Sequence, residues 1–281
     1  MPQATVSRFE RICRECRDVS NGARDLGMSA LVAALAVSAC VFLAGLAGLY
    51  GHGRLPVPHQ SKETLDVIRL GTGMLSVLAS LVLGLLIGSA KGSWDATDHA
   101  TRSYAADLIL LDETLRDYGD AAAAPRDTLR AYTRQVLDDR WPQDGRSGNV
   151  VEDQAAGALI ERVRNEIRAL KPSDVAAKSL QDQALATHAS LSQQRWRIVE
   201  QQGPTVRLPV LAILVSWIML IFGSFGLNAP RNATITTALL LCSLAIGGSV
   251  FLIFELDSPF AGVLAVSSVP MRSALEHMST H

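Results

Sequence analysis

The chain has 281 residues, of which 48% are hydrophobic and 19% are charged, and its formal net charge is −1. A balance so close to zero argues against a nucleic-acid partner, which would need a concentrated basic face. The chain has only 4 cysteines, and two of them lie inside apolar stretches, which argues against a disulfide scaffold.

Residues 1–27 predict a cytoplasmic amphipathic segment. Charged side chains fill one side of this segment, and the other side carries apolar side chains at three- and four-residue steps: Phe9, Ile12, Cys13, Cys16 and Val19. Such a pattern is typical of a short helix that lies on a membrane surface.

Four stretches without Asp, Glu, Lys or Arg follow, at 28–50, 70–90, 208–227 and 233–254. Each has about 20 residues or more, enough to cross a hydrocarbon core of ~30 Å. We therefore predict an all-α membrane protein with four transmembrane helices in a 2+2 arrangement. A first transmembrane hairpin (28–90) and a second (208–254) would flank a cytoplasmic helical domain (91–207), and residues 255–281 would form a cytoplasmic tail.

The basic residues near the span ends indicate the orientation. With the N-terminus inside, the inner flanks hold Arg11, Arg14, Arg17, Arg24, Lys91, Arg102, Arg195, Arg197, Arg207 and Arg272, against Arg54, Lys62, Arg69 and Arg231 outside. The positive-inside rule then places both termini in the cytoplasm.

The segment 91–207 predicts a bundle of helical hairpins. Its first helix continues the second span, with an apolar seam of Tyr104, Leu108, Leu111, Leu115 and Tyr118. Three further helices would carry Leu129, Tyr132 and Val136; Ala156, Leu159, Val163, Ile167 and Leu170; and Leu180, Ala184, Leu191 and Ile198. Ser173 is the expected N-cap of the last of these.

The second span carries small or hydroxyl residues at every fourth position: Thr72, Ser76, Ser80, Gly84 and Gly88. A four-residue step rotates by about 40° around the helix, so these residues form one slowly winding stripe. Either the stripe packs against another helix, since small residues let helices approach closely, or it lines a pore. The two interpretations are compatible at an interface between subunits.

Two kinds of function are disfavoured by what the sequence lacks. No span holds a carboxylate, Lys or Arg at mid-membrane, which argues against proton-coupled transport and pumping. The motifs of phosphate-binding loops, zinc proteases and serine hydrolases do not occur either, so we predict that the protein is not an enzyme.

The second hairpin carries the most specific pattern of the chain. Its outer turn contains Asn228, Pro230, Arg231 and Asn232, and Pro259 follows the fourth span. Glu255 and Asp257 lie where that span reaches the inner surface. Negative charge is unfavourable at a helix C-terminus, so we expect these acids to have a partner, either a basic residue of the insert or a cation such as Ca²⁺. No other cofactor is expected.

Four segments of the chain carry a family resemblance: residues 225–234, residues 255–262, and the pairs Tyr118-Gly119 and Trp141-Pro142. Together they resemble a bacterial four-span family described as bestrophin-like, whose activity is unknown. The resemblance implies a location in the bacterial inner membrane. More distantly, the architecture is similar to that of bestrophins, which implies a pentameric anion channel with a calcium-binding acidic segment after the last span. The aromatic neck of the bestrophin pore has no counterpart here, because the second span has no aromatic residue before Trp94.

The function predicted from these features is a homo-oligomeric ion channel with Thr72, Ser76 and Ser80 along its pore. Glu255 and Asp257 would lie at the cytoplasmic end of the gate. The alternative is a membrane-anchored interaction or signalling module, whose helical domain binds a cytoplasmic protein.

Overall fold

The computed structural model describes residues 30–51, 62–141, 154–200, 208–260 and 262–280. The amphipathic segment predicted at 1–27 lies outside these residues. In chain order the helices are α1 (Ala30–Gly51), α2 (Lys62–Tyr118), a 3-10 turn (Asp120–Ala122), α3 (Ala123–Arg140), α4 (Gln154–Ala169), α5 (Val175–Glu200), α6 (Leu208–Asn228), α7 (Ala233–Leu256) and α8 (Val269–Thr280). Every regular element in the described ranges is helical, which confirms the all-α class.

Four of these helices, α1, α2, α6 and α7, are long and apolar enough to cross a membrane. They correspond to the four stretches predicted from the sequence. The second is unusual because α2 has 57 residues and continues without a break from the apolar stretch into the polar insert. The prediction that the insert begins as an extension of the second span is therefore confirmed.

The chain divides into two compact units, which we describe separately. The apolar unit contains the described residues up to Ile87 and those from Leu208 to Phe254, and the polar unit contains those from Gly88 to Glu200 and from Glu255 onward.

The apolar unit is built on close contact between α1 and α6. A Cβ atom added at Gly48 would overlap the carbonyl oxygen of Gly223, and one added at Gly226 would overlap that of Gly45. The two backbones therefore touch where these glycines face each other. A small side-chain core lies beside this crossing and contains Val41, Ala79, Leu214, Ile218, Ile221, Phe222 and Leu239.

The polar unit has a larger side-chain core. It contains most of the apolar positions that the sequence predicted on each helix, including Leu108, Leu111, Leu115, Leu129, Tyr132, Val136, Val163, Ile167, Leu191 and Ile198. Two polar pairs are also buried in it. Arg126 donates two hydrogen bonds to Asp112, both of 3.0 Å, and the hydroxyls of Tyr104 and Tyr132 share a short hydrogen bond. Burial, first of all, raises the pKa of Tyr104 well above its usual value, so this phenol stays protonated.

The end of the chain belongs to the polar unit. Helix α8 buries Met271, Ala274 and Met278 in the core of that unit, and the hydroxyl of Thr133 lies 3.8 Å from the sulfur of Met278. The segment predicted as a cytoplasmic tail thus shares a core with the insert, through Phe260 and the buried side chains of α8.

The N-cap predicted for α5 was wrong by one residue. Helix α5 begins at Val175, and the carboxylate of Asp174 accepts a hydrogen bond of 2.7 Å from the amide of Ala177. This is the geometry of an N-cap side chain bonded to the third helical residue, so Asp174 takes the position expected for Ser173.

Candidate functional site

The stripe on α2 begins against another helix. Thr72 and Ser76 are half-buried, and the hydroxyl of Thr72 donates to that of Ser224 on α6 at 2.9 Å. The hydroxyl of Ser76 bonds back to the carbonyl of Thr72 at 2.8 Å. In this part of the stripe, Thr72 therefore joins α2 to α6 of the same chain, while the hydroxyl of Ser76 bonds within its own helix.

The other end of the stripe is exposed. Ser80, Gly84 and Gly88 are exposed, and a Cβ atom added at either glycine would meet nothing within 4 Å. The change follows from helix geometry, because each four-residue step rotates by about 40° and 16 residues rotate by about 160°. The stripe therefore winds from the buried face of α2 to its exposed face.

Helix α2 is also the least covered of the four candidate spans. Only 6% of its most apolar segment is buried, against 22% in α1, 33% in α6 and 28% in α7. Beside the exposed part of the stripe, its open surface carries the large apolar side chains Met74, Val77, Leu78, Leu81 and Leu85. A bare helix face with one small, polar edge and one bulky, apolar edge is available to lipid, to water or to another copy of the chain.

Glu255 has a structural role that the sequence did not predict. Its side chain is buried, and its Oε2 atom accepts hydrogen bonds from the amides of Val263 at 2.7 Å and Leu264 at 3.3 Å. Gly262 has a φ of +86°, and a Cβ atom there would overlap the carboxylate. The negative charge at the end of α7 is thus stabilised by the backbone of the loop that follows.

The oxygen ligands available around Glu255 do not form a typical calcium site. Ca²⁺ usually takes six to eight oxygen ligands, several of them carboxylates. Among the described residues no group of three or more His, Cys, Asp or Glu side chains is placed to hold a metal, and Oε2 of Glu255 is already an acceptor for two amides. Ca²⁺ at Glu255 and Asp257 stays a prediction.

The residues of the turn between α6 and α7 bind to the ends of helices. The guanidinium of Arg231 donates to the carbonyls of Leu49 and Tyr50 at the end of α1, both at 3.2 Å. Asn232 caps α7 by accepting the amide of Ile235 at 2.9 Å, and Asn228 donates to the carbonyl of Ser224 at 2.9 Å.

The two prolines of the signature contribute backbone oxygens. The carbonyl of Pro230 accepts from the amide of Asn232 at 3.0 Å, and that of Pro259 accepts from the amide of Val266 at 2.7 Å. The hairpin signature therefore has a structural explanation within one chain.

Sequence reasoning missed the glycines of the helix crossing, Gly45, Gly48, Gly223 and Gly226. They are spaced by three residues in both helices, and this repeated spacing was the available signal. It also missed Ser224, because the sequence of one helix does not reveal its partner on another.

Comparison with known families adds a decisive observation. The family model described as Bestrophin-like domain matches residues 39–271. The chain belongs to the bestrophin-like family. The comparison with curated proteins found no match.

Solved structures with a similar fold come from bestrophin homologues. A variant of the bacterial bestrophin homologue from Klebsiella pneumoniae has a TM-score of 0.64 at 15% identity, covering 90% of this chain and 97% of that one. The zinc-phased structure of the Klebsiella pneumoniae homologue gives 0.62 at 14% identity, covering 88% and 97%. At this level of identity the similarity concerns the fold alone.

Proposed function

We propose that this bestrophin-like protein is a homo-oligomeric ion channel of the bacterial inner membrane. Its two pairs of spans would flank a cytoplasmic polar unit, with both termini in the cytoplasm. The observation that carries the proposal is the bare face of α2, which is the least buried span and yet exposes the polar and small half of the stripe.

The two ends of the stripe have different roles in this proposal. Thr72 ties α2 to Ser224 of α6, which holds the helix in place within its own chain. Ser80 and Gly84 face the ion path, and the bulky edge around Leu85 packs on the neighbouring copy. The sequence hypothesis included Thr72 and Ser76 in the pore, and we now assign the pore to the exposed end.

The residues that face the proposed ion path have a chemistry that suits conduction of small ions. Conduction requires sites that bind an ion well enough to admit it and weakly enough to release it. Hydroxyl groups and glycine backbone meet that requirement, and the stretch 70–90 holds no charged side chain that would trap an ion. Glu255, and with it the loop after α7, would lie at the cytoplasmic end of the gate.

Single-channel recording from purified protein in a planar bilayer tests the proposal. A Ser80→Trp substitution should abolish most of the unitary conductance, because an indole would fill the space beside the stripe. The matched control is Leu241→Trp on α7, a side chain that is 61% exposed and lies on another span. The absence of unitary currents from the unmodified protein, or equal currents from both variants, would reject the proposal.

Particle symmetry gives an independent test of the assembly. Images of the detergent-solubilised protein should show a closed ring of identical subunits with α2 nearest to the axis. A monomer, or a dimer that leaves α2 on the periphery, would contradict a pore built from this helix.

One observation favours the alternative function, a membrane-anchored interaction module. The side chain of Trp196 on α5 of the polar unit is 69% exposed. Tryptophan is enriched at protein-binding surfaces, because its large ring is apolar and its N–H can find a hydrogen-bond partner. In this version a cytoplasmic protein that copurifies with the full-length chain would be lost in Trp196→Ala, and the exposed Arg272→Ala would retain it.

A further inference from the structure

The loop that follows α7 holds two apolar side chains in the open. We call residues 258–260 and 262–266 the post-span loop. Its Val263 is 82% exposed and its Leu264 is 39% exposed. Helix α7 ends at Leu256, so both residues come within eight positions of the end of a candidate membrane span.

The post-span loop is firmly held. The carboxylate of Glu255 accepts the amides of Val263 and Leu264. At its other end Val266 is buried, and its carbonyl accepts the indole N–H of Trp141 at 2.8 Å. The ring of Trp141 packs edge-on against that of Phe260, with 5.4 Å between the centroids. The exposure of Val263 is therefore built into an ordered loop that is fastened on both sides.

The helix that continues the second candidate span, α2, also contacts the post-span loop. The indole N–H of Trp94 donates to the carbonyl of Leu264 at 2.7 Å, and the ammonium of Lys91 lies 4.4 Å from the centroid of the Trp94 ring. Trp94 follows Ala90, the last residue of the uncharged stretch in α2, by four positions, which is about 6 Å of helical rise. A hydrocarbon core filled by this uncharged stretch would leave Trp94 just beyond its edge.

The chemistry of this cluster is that of a membrane–water boundary. Tryptophan is enriched at the headgroup level of bilayers, and lysine extends its charged end toward water while its alkyl chain stays in apolar surroundings. Trp94 contacts the loop at Leu264, and Lys91 lies over the Trp94 ring and forms an ion pair with Asp95.

We propose that the tip of the post-span loop, Val263 and Leu264, inserts into the interfacial layer of the bilayer, with Trp94 and Lys91 as its companions at the headgroups. Its occupant is lipid and not a second protein. This anchor depends on the spans and not on conduction, so a protein that fails to conduct could still carry it.

Spin labelling of the full-length protein in vesicles of phosphatidylethanolamine and phosphatidylglycerol tests this proposal. A single cysteine is introduced as Val263→Cys in a background where Cys13, Cys16, Cys40 and Cys242 are replaced by serine or alanine. Collisions of the attached label with oxygen, which concentrates in lipid, are compared with collisions with a water-soluble nickel chelate. An elution volume equal to that of the unmodified protein shows that the variant is folded.

Two matched positions calibrate the measurement. Val175→Cys lies on the polar unit, where the native side chain is 87% exposed, and it reports water. Leu241→Cys, at 61% exposure on α7, reports the lipid of the core. We expect the label at 263 to collide with oxygen in preference to nickel, at a depth between the two references. Free access to nickel, as at position 175, would overturn the proposal. Protection from both reagents would overturn it as well, because the loop tip would then be covered by protein.

Discussion

The two units of this protein reach stability by different routes. In the apolar unit α1 and α6 meet through glycines, so that backbone touches backbone. In the polar unit large side chains fill a common core that also encloses the Asp112–Arg126 and Tyr104–Tyr132 pairs. This difference in packing agrees with the surroundings expected for each unit, lipid for the apolar unit and water for the polar unit. Lipid offers no hydrophobic drive for helices to associate, so close packing of small residues takes its place, whereas burial of apolar side chains from water stabilises the polar unit.

The largest effect should come from the buried ion pair of the polar unit. The Asp112 side chain is fully buried and its Arg126 partner is 15% exposed. Asp112→Ala would leave a mostly buried guanidinium without its carboxylate, and we expect a loss of about 3–5 kcal/mol in the free energy of unfolding. Denaturant titration in detergent, followed by tryptophan fluorescence, measures it.

The matched control is the exposed pair of Arg130 with Asp127, whose carboxylate side chain is 75% exposed. Asp127→Ala should cost less than about 0.5 kcal/mol. Equal losses from the two variants would show that burial does not distinguish these pairs.

A somewhat smaller loss is expected at the end of the chain. Met278→Ala should cost about 2–5 kcal/mol, because it removes a fully buried side chain from the core of the polar unit. Arg272→Ala, on the exposed side of the same helix, is the control. If thermal melting of the two variants were alike, α8 would not belong to that core.

The glycine crossing gives a third prediction, for the apolar unit. A methyl group at Gly226 would overlap the backbone of α1, so Gly226→Ala should destabilise the protein by about 1–3 kcal/mol despite the better helix propensity of alanine. Gly84→Ala, with open space around it, should be neutral or slightly stabilising. The same thermal melting in detergent compares the two. A stable Gly226→Ala protein would contradict the close contact of α1 and α6.

The smallest effect concerns pH and His188 of the polar unit. Burial, first of all, lowers the pKa of His188, and Arg164 and Arg168 lower it further, against a raising effect from the Ile160 carbonyl 2.8 Å away and from Glu161. Near pH 6.5 the imidazole of His188 therefore binds a proton in the unfolded chain but stays neutral in the folded chain. Stability is complete above that pH and falls as the pH drops toward the folded pKa.

One proton limits the loss to about 1.4 kcal/mol for each pH unit below 6.5. Unfolding titrations at pH 7.5 and pH 5.5 would measure it, with His188→Gln as the comparison because an amide can still donate to Ile160. An unchanged pH dependence in His188→Gln would contradict the assignment to His188.

The core of the polar unit could be predicted because periodic apolar residues report which face of a helix is buried. Leu108, Leu111 and Leu115 follow that pattern. Met271, Ala274 and Met278 follow it as well, in a segment where no core was predicted. The roles of Thr72 and Glu255 could not be predicted in this way. Each depends on a partner from another segment, Ser224 in one case and the loop amides of Val263 and Leu264 in the other.

The stripe shows which features of a helix can be predicted from its own sequence and which cannot. Its spacing is visible in the sequence, and so is its slow winding. Which end of it meets another helix depends on where α6 lies, and only the structure shows that Thr72 is covered while Gly84 is open.

The most direct test of the central claim is modification of single cysteines during a recording of channel current. In a background without the four native cysteines, a charged thiol reagent is added to channels that carry Gly84→Cys on the open end of the stripe, or Leu85→Cys on the bulky edge, where the native side chain is 65% exposed. If the stripe lines the pore, the current through Gly84→Cys channels falls during modification while that through Leu85→Cys channels stays constant. A constant current in both, or a fall only in Leu85→Cys, would contradict a pore along this face of α2.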